Sequence, residues 1–314
     1  MRRCRAALGT AVFVTALLLL SGCTSQVSGA PAATRPGPGS AAELLGDAGT
    51  VDSCSLLDPT SLDQFGTAQP QPQESYDYCW LRLPMSDAQV AVRFGLLERV
   101  RSLDDVPARQ IELVGPLRIL EASPVPDRCA RYIFFIDNIT LAVSADTADS
   151  PNTTVSSLCS VTEKATHTIA QNIVAKKIEH HAYPPSSFGP LDACKAVVTT
   201  LGQIPGLAAA ETTAYPAHHQ CRWGTATVPS LTLRYVLSAP SAAANVHHET
   251  IAGRTSGVYT VDINGPTLCV AEVAGIGREL AQVIVRTAPG TTATACAAAR
   301  IVAGEVWSKL PVTS

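Results

Sequence analysis

The sequence predicts an α+β protein of two similar units, each an antiparallel sheet with helices packed on one face and each stapled by disulfides. Three observations predict it. Cys54, Cys79, Cys129 and Cys159 stand 25, 50 and 30 residues apart, and Cys194, Cys221, Cys269 and Cys296 repeat the rhythm at 27, 48 and 27, offset by about 140 residues. Alternating runs follow each second cysteine: Val90-Ala91-Val92-Arg93-Phe94 and Leu231-Thr232-Leu233-Arg234-Tyr235. Such alternation marks half-buried strands. Each fourth cysteine opens a helical pattern, Val161 to Ile178 and Ala297 to Leu310. Strands grouped between helices pack as a sheet covered on one face.

The chain begins with Met1-Arg2-Arg3-Cys4-Arg5 and an apolar run from Ala6 to Leu20. A basic head before an apolar stretch too short for a bilayer span reads as a secretory signal over residues 1–22. It ends in Leu20-Ser21-Gly22-Cys23, which resembles the lipobox of bacterial lipoproteins. That resemblance implies cleavage before Cys23 and acylation there, palmitate included. It places the protein on the outer face of the cell membrane, where two or more acyl chains hold it stably. Residues 23–50 are expected to form a flexible tether, because Thr24 to Ser40 is Ser, Ala, Pro, Gly and Thr with a single charge at Arg35. Coil statistics give it a reach of roughly 30 Å.

Without residues 1–22 the chain keeps 292 residues, with 20 basic against 26 acidic side chains, a formal charge of −6. A mildly acidic body with no Lys/Arg cluster excludes nucleic acid as a partner and a basic patch as a membrane contact. The length allows two ordinary domains, 51–182 and 191–314, with 183–190 as a short, stiff Pro-rich linker. The eight cysteines beyond Cys4 and Cys23 are expected as disulfides in an exported chain. None lie as close as the Cys-x-x-Cys pairs that zinc favours.

Within the first unit a short helix leads, with Asp58 as N-cap, Pro59 in its first turn and Gly66 as stop. Hairpins follow at the third cysteines, Cys129 to Ser144 turning at Asp137-Asn138 and Cys269 to Thr287 turning at Gly275-Ile276-Gly277. The closing helix carries Val161, Ala165, Ile169, Ile173 and Ile178 at helical spacing, with Lys176 and Lys177 near its end. Leu57-Asp58-Pro59 and Leu191-Asp192 are read as corresponding segments, as are Cys79-Trp80 and Cys221-Arg222-Trp223. Four cysteines per unit allow three pairings. First with second and third with fourth is favoured, because those intervals vary together and the bonds would tie each helix to a neighbouring strand.

Cys54-Ser55-Leu56-Leu57-Asp58-Pro59 with Leu62, Phe65-Gly66 and Cys79-Trp80 resembles the opening of the Domain of Unknown Function 3558 lipoproteins of actinobacteria. Ala295-Cys296-Ala297-Ala298-Ala299-Arg300 through Lys309-Leu310-Pro311 is similar to that family's closing helix. The family's usual chain has one such unit, so this would be a tandem duplication. Cys-x-Trp spacing is kept only in the second half, which also lacks the Leu-Leu-x-Pro start. The resemblance implies localisation and fold, and no site.

Candidate chemistry is sparse. Histidines pair at His180-His181, His218-His219 and His247-His248, with His167 alone. They read first as exposed loop residues; a metal site would draw on His218 or His219 with His247 or His248, since imidazoles ligate zinc and copper. Trp80 and Trp223 read as core residues against the disulfides. The alternative is a ligand surface of Tyr76, Tyr78 and Trp80, with Tyr215, His218 and Trp223 as its counterpart. There is no Gly-x-Ser-x-Gly elbow, no His-Glu-x-x-His helix and no supported Ser-x-x-Lys. Gly275-Ile276-Gly277 lacks the third glycine of a dinucleotide loop, and no cofactor or catalytic residue is nominated. The expectation is a non-enzymatic envelope module that binds a partner protein, wall glycan or lipid in the groove between units. An envelope hydrolase and a histidine-based metal-binding lipoprotein are the alternatives.

Overall fold

The same seven-strand order occurs twice along the chain. In the computed structural model, which describes residues 38–85, 88–147, 154–225, 228–262 and 265–312, the first half supplies β1 (Gln69–Pro70), β2 (Cys79–Met85), β3 (Ala88–Arg99), β4 (Ala108–Val114), β5 (Leu117–Ala122), β6 (Arg128–Phe134) and β7 (Ile139–Thr147). They form one antiparallel sheet in the order β1-β2-β3-β7-β6-β5-β4. The second half supplies β8 (Thr212–Ala214), β9 (Gln220–Trp223), β10 (Ser230–Leu237), β11 (His247–Ile251), β12 (Arg254–Asp262), β13 (Thr267–Ala274) and β14 (Glu279–Thr287). Their order, β8-β9-β10-β14-β13-β12-β11, maps strand for strand onto the first. The signal segment, Cys23 and residues 24–37 lie outside the described residues.

Alternation decides which face is covered. On β7, Leu141, Val143 and Ala145 turn to the core, while Ala142, Ser144 and Asp146 turn away. Helix α2 (Val155–Val174) lays Leu158, Val161, Ala165, Ile169 and Ile173 into the same core. Helix α4 (Thr292–Trp307) does the same in the second unit with Ala295, Ala299, Val302, Ala303 and Val306. The disulfides are Cys54–Cys79, Cys129–Cys159, Cys194–Cys221 and Cys269–Cys296, joining first with second and third with fourth cysteines. In each unit the second bond ties the closing helix to the third-cysteine strand.

Both closing helices start earlier than the apolar pattern, at Val155 and Thr292, so Cys159 and Cys296 lie in the second turn. The first turns are Ser- and Thr-rich and carry no periodicity; Thr154 marks the real start, accepting the Ser157 N–H at 3.2 Å. The first helix ends at Val174, where Lys176 turns left-handed (φ 52°), so Ile178 lies beyond it. The predicted helix after Asp58 is one 3-10 turn, Pro59–Leu62. Gly66 follows with φ 146°, and a Cβ there would stand 2.2 Å from the Pro84 carbonyl oxygen.

Three assignments along the chain change. Residues 38–50 belong to the folded body: α1 (Ala41–Leu45), capped by Ser40, buries Ala41, Leu44 and Leu45 in the first core, and a 3-10 turn spans Ala48–Thr50. Two leucines and an alanine at helical spacing outweigh a tether-like neighbourhood. Residues 183–190 are anchored in the fold at 187–189, while Pro184, Pro185 and Pro190 stay exposed. Ser187 and Phe188 are fully buried, Phe188 in the second core, and Glu279 accepts from the Ser187 hydroxyl and the Phe188 N–H. The counterpart of Asp192 is Asp52, not Asp58. Each caps a turn by accepting, at 2.9 Å, the N–H of the unit's first cysteine: Asp192 in α3 (Ala193–Ala196) and Asp52 in the 3-10 turn Ser53–Leu56.

Glu305 on α4 pins residues 198–200 to the helix by accepting from the Val198, Thr199 and Thr200 N–H groups, the Thr200 hydroxyl and Lys309. Burial raises its carboxyl, but Lys309, the Thr200 hydroxyl and these amides outweigh burial and hold it well below the ordinary 4.5. A depressed folded pKa contributes stability that is complete above 4.5 and is lost as pH falls through the folded value. Solvent screens part of this cluster, so Glu305→Gln should cost about 1.5 kcal/mol at neutral pH. The gap in urea midpoint between variant and wild type should narrow as pH drops below 4.5.

Candidate functional site

The sheet faces opposite the helices, partly buried, and the seam between the units hold the polar chemistry. On the first sheet a hollow of about 600 Å³ is lined by Tyr78, Leu96, Val125, Ala130, Tyr132 and Ala142, among others. Ala130 on β6 and Ala142 on β7 hold outward positions there and give the floor an apolar surface. Asp146 stands on its wall, 8% exposed. It accepts from Arg93 at 3.0 Å, from the Arg128 Nε–H and from the Ser144 hydroxyl at 2.8 Å. This contact raises the Arg128 pKa above its ordinary value. Arg93 also lies over the Trp80 ring, 5.9 Å from its centroid.

A bulge in β3 between Phe94 and Leu97 shifts the register and re-aims Leu96. At Gly95 (φ 112°) a Cβ would meet the Asp77 carbonyl oxygen at 3.0 Å, so glycine lets the 74–78 segment approach. That segment crosses to the other unit. Ser75 bridges Val236, the Leu237 N–H donates to the Glu74 carbonyl at 3.2 Å, and Tyr76 is buried in the second core.

The seam closes on a buried pair. His219 is 1% exposed and Asp77 7%, and Asp77 Oδ1 lies 2.6 Å from His219 Nδ1. His219 Nε2 lies 2.8 Å from the Gly189 carbonyl oxygen. Both ring nitrogens thus lie within hydrogen-bond distance of protein oxygens. Tyr76 lies over the ring at 4.7 Å and Tyr183 meets it edge-on at 6.3 Å. Burial, then the charge of Glu279, pushes the Tyr76 hydroxyl far above its ordinary range; burial, then Asp77, does the same to Tyr183.

Beside this pair lies a second cavity, about 360 Å³, walled by both units: Glu74, Ser75 and Tyr78 from the first, Arg234, Ser238 and Gln282 from the second. Tyr78 and Leu96 line both this cavity and the larger hollow. The Arg234 Nε–H donates to Gln282 Oε1 at 2.8 Å, and Gln282 Nε2 donates to Glu272 at 3.1 Å. Glu272 also accepts from Tyr259, whose hydroxyl is pushed up to about 12 by burial and then by the Glu272 charge.

The residues nominated from sequence disperse. His219 does lie in a loop, between β8 and β9, but it is buried at the seam and not exposed, and both its nitrogens are taken by protein acceptors. His218 sits in a left-handed turn (φ 65°), with Nδ1 3.8 Å from Asp192. His247 and His248 are exposed on β11, so the proposed metal set does not assemble. Among the described residues no group of three His, Cys, Asp or Glu side chains could hold a metal ion. Trp223 is in the second core, but Trp80 is not in the first. Adjacent strand residues point to opposite faces, so Cys79-Trp80 sends its tryptophan outward while Cys221-Arg222-Trp223 sends its tryptophan inward. Tyr76 is core, and Tyr78 is the aromatic that reaches both cavities.

Sequence reading missed Asp77, Asp146, Arg93, Arg234 and Gln282. Two of them carried a signal: Arg93 and Arg234 occupy the same outward place in the two repeated strand runs.

No protein-family model matches the chain, and no curated protein matches it. The crystal structure of DynU16, a protein of the dynemicin biosynthetic locus, aligns over 82% of this chain and 91% of its own, at 12% identity and a TM-score of 0.17. Four disulfides in two repeated sheets suit an oxidising, extracytoplasmic setting. Among the described residues no helix is long and apolar enough to cross a membrane.

Proposed function

We propose that this chain is an envelope lipoprotein, anchored through Cys23, that binds a ligand without catalysis in the hollow of the first sheet and the adjoining cavity between units. The lipobox-like Leu20-Ser21-Gly22-Cys23 supports the anchor. The single observation that carries the binding reading is the hollow itself, of ligand-sized volume, with an apolar floor and a few fixed polar groups on its wall. The resemblance to the Domain of Unknown Function 3558 lipoproteins supports the same location and adds no activity.

A hydrolase is the weaker reading on this geometry. The buried Asp77–His219 pair resembles part of a catalytic triad, but His219 Nε2 faces a backbone carbonyl where a nucleophile's hydroxyl would have to stand. Ser187, the buried hydroxyl nearby in sequence to Gly189, donates to Glu279.

The test is recovery of the full chain from its own envelope by detergent-phase partition, followed by native mass spectrometry. Wild type should enter the detergent phase carrying a bound small molecule. Cys23→Ala should move to the aqueous phase, and equal partitioning would sink the anchor. Ala142→Trp, which fills the floor of the hollow, should remain anchored and lose the bound mass. Wild type and Ala142→Trp with the same bound mass, or with none, would count against the hollow as the site.

A further inference from the structure

The two units are copies, so a residue whose partner exists in one copy and is missing from the other is informative. Arg93 on β3 and Arg234 on β10 are such a pair. Arg93 stands across from Ser144 and Arg234 across from Gln282, in the matching register. Two residues further along the facing strand the first unit has Asp146, which takes the Arg93 guanidinium; the second has Ile284. Among the described residues no carboxylate lies within ion-pair distance of Arg234. Glu272 is linked to it by hydrogen bonds through the Gln282 amide.

A guanidinium in this position is expensive to leave unpaired. Arg234 is largely removed from water, and this burial lowers its pKa against the smaller opposing pull of Tyr259, Tyr78 and Glu272. Gln282 fixes its Nε, which leaves the terminal nitrogens as donors for the 360 Å³ cavity that Arg234 lines. Ser75 adds a hydroxyl to the same wall; its oxygen accepts from the Asp77 N–H, so its proton is available. Of the acids on that wall, Asp77 is engaged by His219, and Glu74 is exposed. Across Tyr78 and Leu96 lies the apolar hollow.

Resting on the proposed binding role of that hollow, we infer that the ligand is an amphiphile with one anionic head, its oxyanion held by Arg234 in the cavity between the units and its apolar body in the hollow of the first sheet. A carboxylate and a phosphate monoester share the chemistry that a guanidinium fork recognises.

Isothermal titration of the full chain with decanoate, decyl phosphate and decanol, all below their micellar concentrations, tests this. Wild type should bind the better of the two anions at least about tenfold more tightly than decanol, the range expected for a partly desolvated charged hydrogen bond. The ranking of decanoate against decyl phosphate identifies the head group. Arg234→Gln should erase the preference and leave decanol affinity unchanged. Glu74→Gln, on an exposed side chain, should tighten both anions and leave decanol alone, so the inference stays testable if the arginine variant folds poorly. Anions and decanol binding equally, or anion binding unaffected by Arg234→Gln in a folded variant, overturns the head-group assignment while the hollow stands. No binding of any of the three, decanol included, overturns the hollow and this inference with it.

Discussion

Reduction of all four disulfides should unfold this protein at 37 °C. The bonds close loops of 25, 30, 27 and 27 residues, and none of these loops overlaps another. On the chain-entropy model each contributes about 3.5 kcal/mol by restricting the unfolded chain. Separate loops act nearly additively, so the set amounts to roughly 14 kcal/mol. An ordinary domain has a net stability of about 5–15 kcal/mol, so the bonds match the whole margin. The sheets explain why so much is delegated to crosslinks: each unit covers one face of its sheet with a single long helix and short turns, and has no helix over the other face, which is buried only in part. The measurement is a thermal melt followed by circular dichroism with and without a phosphine reductant. The oxidised protein should melt cooperatively, and the reduced protein should show no cooperative transition above 37 °C. Removing Cys129 and Cys159 together should cost about 3–4 kcal/mol, because that bond fastens α2 to β6. A reduced protein that melts within a few degrees of the oxidised one would mean that the two apolar cores suffice.

Much of the architecture was legible because it rests on local periodicity and on a repeated interval. Cysteine spacing marks the duplication, alternation marks β3 and β10, and the hairpins after the third cysteines mark β6–β7 and β13–β14. Helix starts were less legible: the first turns of α2 and α4 are Ser- and Thr-rich and carry no apolar stripe. Residues 41–45 were hidden for the opposite reason, their short stripe being embedded in a Pro- and Gly-rich neighbourhood. Trp80 shows how finely strand phase decides function. One residue fewer between cysteine and tryptophan turns the ring from the core to the open face, where it supports Arg93. The seam was illegible in principle, because Asp77 and His219 are 142 positions apart and nothing local to either announces the other. Arg234 lay between these cases. Its place in the repeat could be read, but its lack of an acidic neighbour needs the register of β10 on β14.

His219→Ala should destabilise the folded chain by about 3–5 kcal/mol, the largest effect expected of any single side chain at the seam. The variant leaves the Asp77 carboxylate in a site where it is 7% exposed, with its imidazole partner gone, and strips the Gly189 carbonyl of its donor. It also removes the ring on which Tyr76 packs, at the point where a residue of the first unit enters the second core. The cost is therefore carried by the seam and not by either sheet. Urea unfolding of oxidised protein should show this as two separated transitions in place of one, since each unit keeps its own core and its own two disulfides. Asp77→Ala should cost less, because the imidazole keeps its bond to the Gly189 carbonyl and its packing against Tyr76. The double variant His219→Ala/Asp77→Ala should recover part of the loss, as removing both halves of a buried pair leaves no orphaned charge. A single transition shifted by less than about 1 kcal/mol, the size expected of a solvent-screened pair, would show that the pair does not join the units. The cavity that contains Arg234 is walled by both units, so loosening this latch should also weaken anionic amphiphile binding, without any change in the residues that touch the ligand.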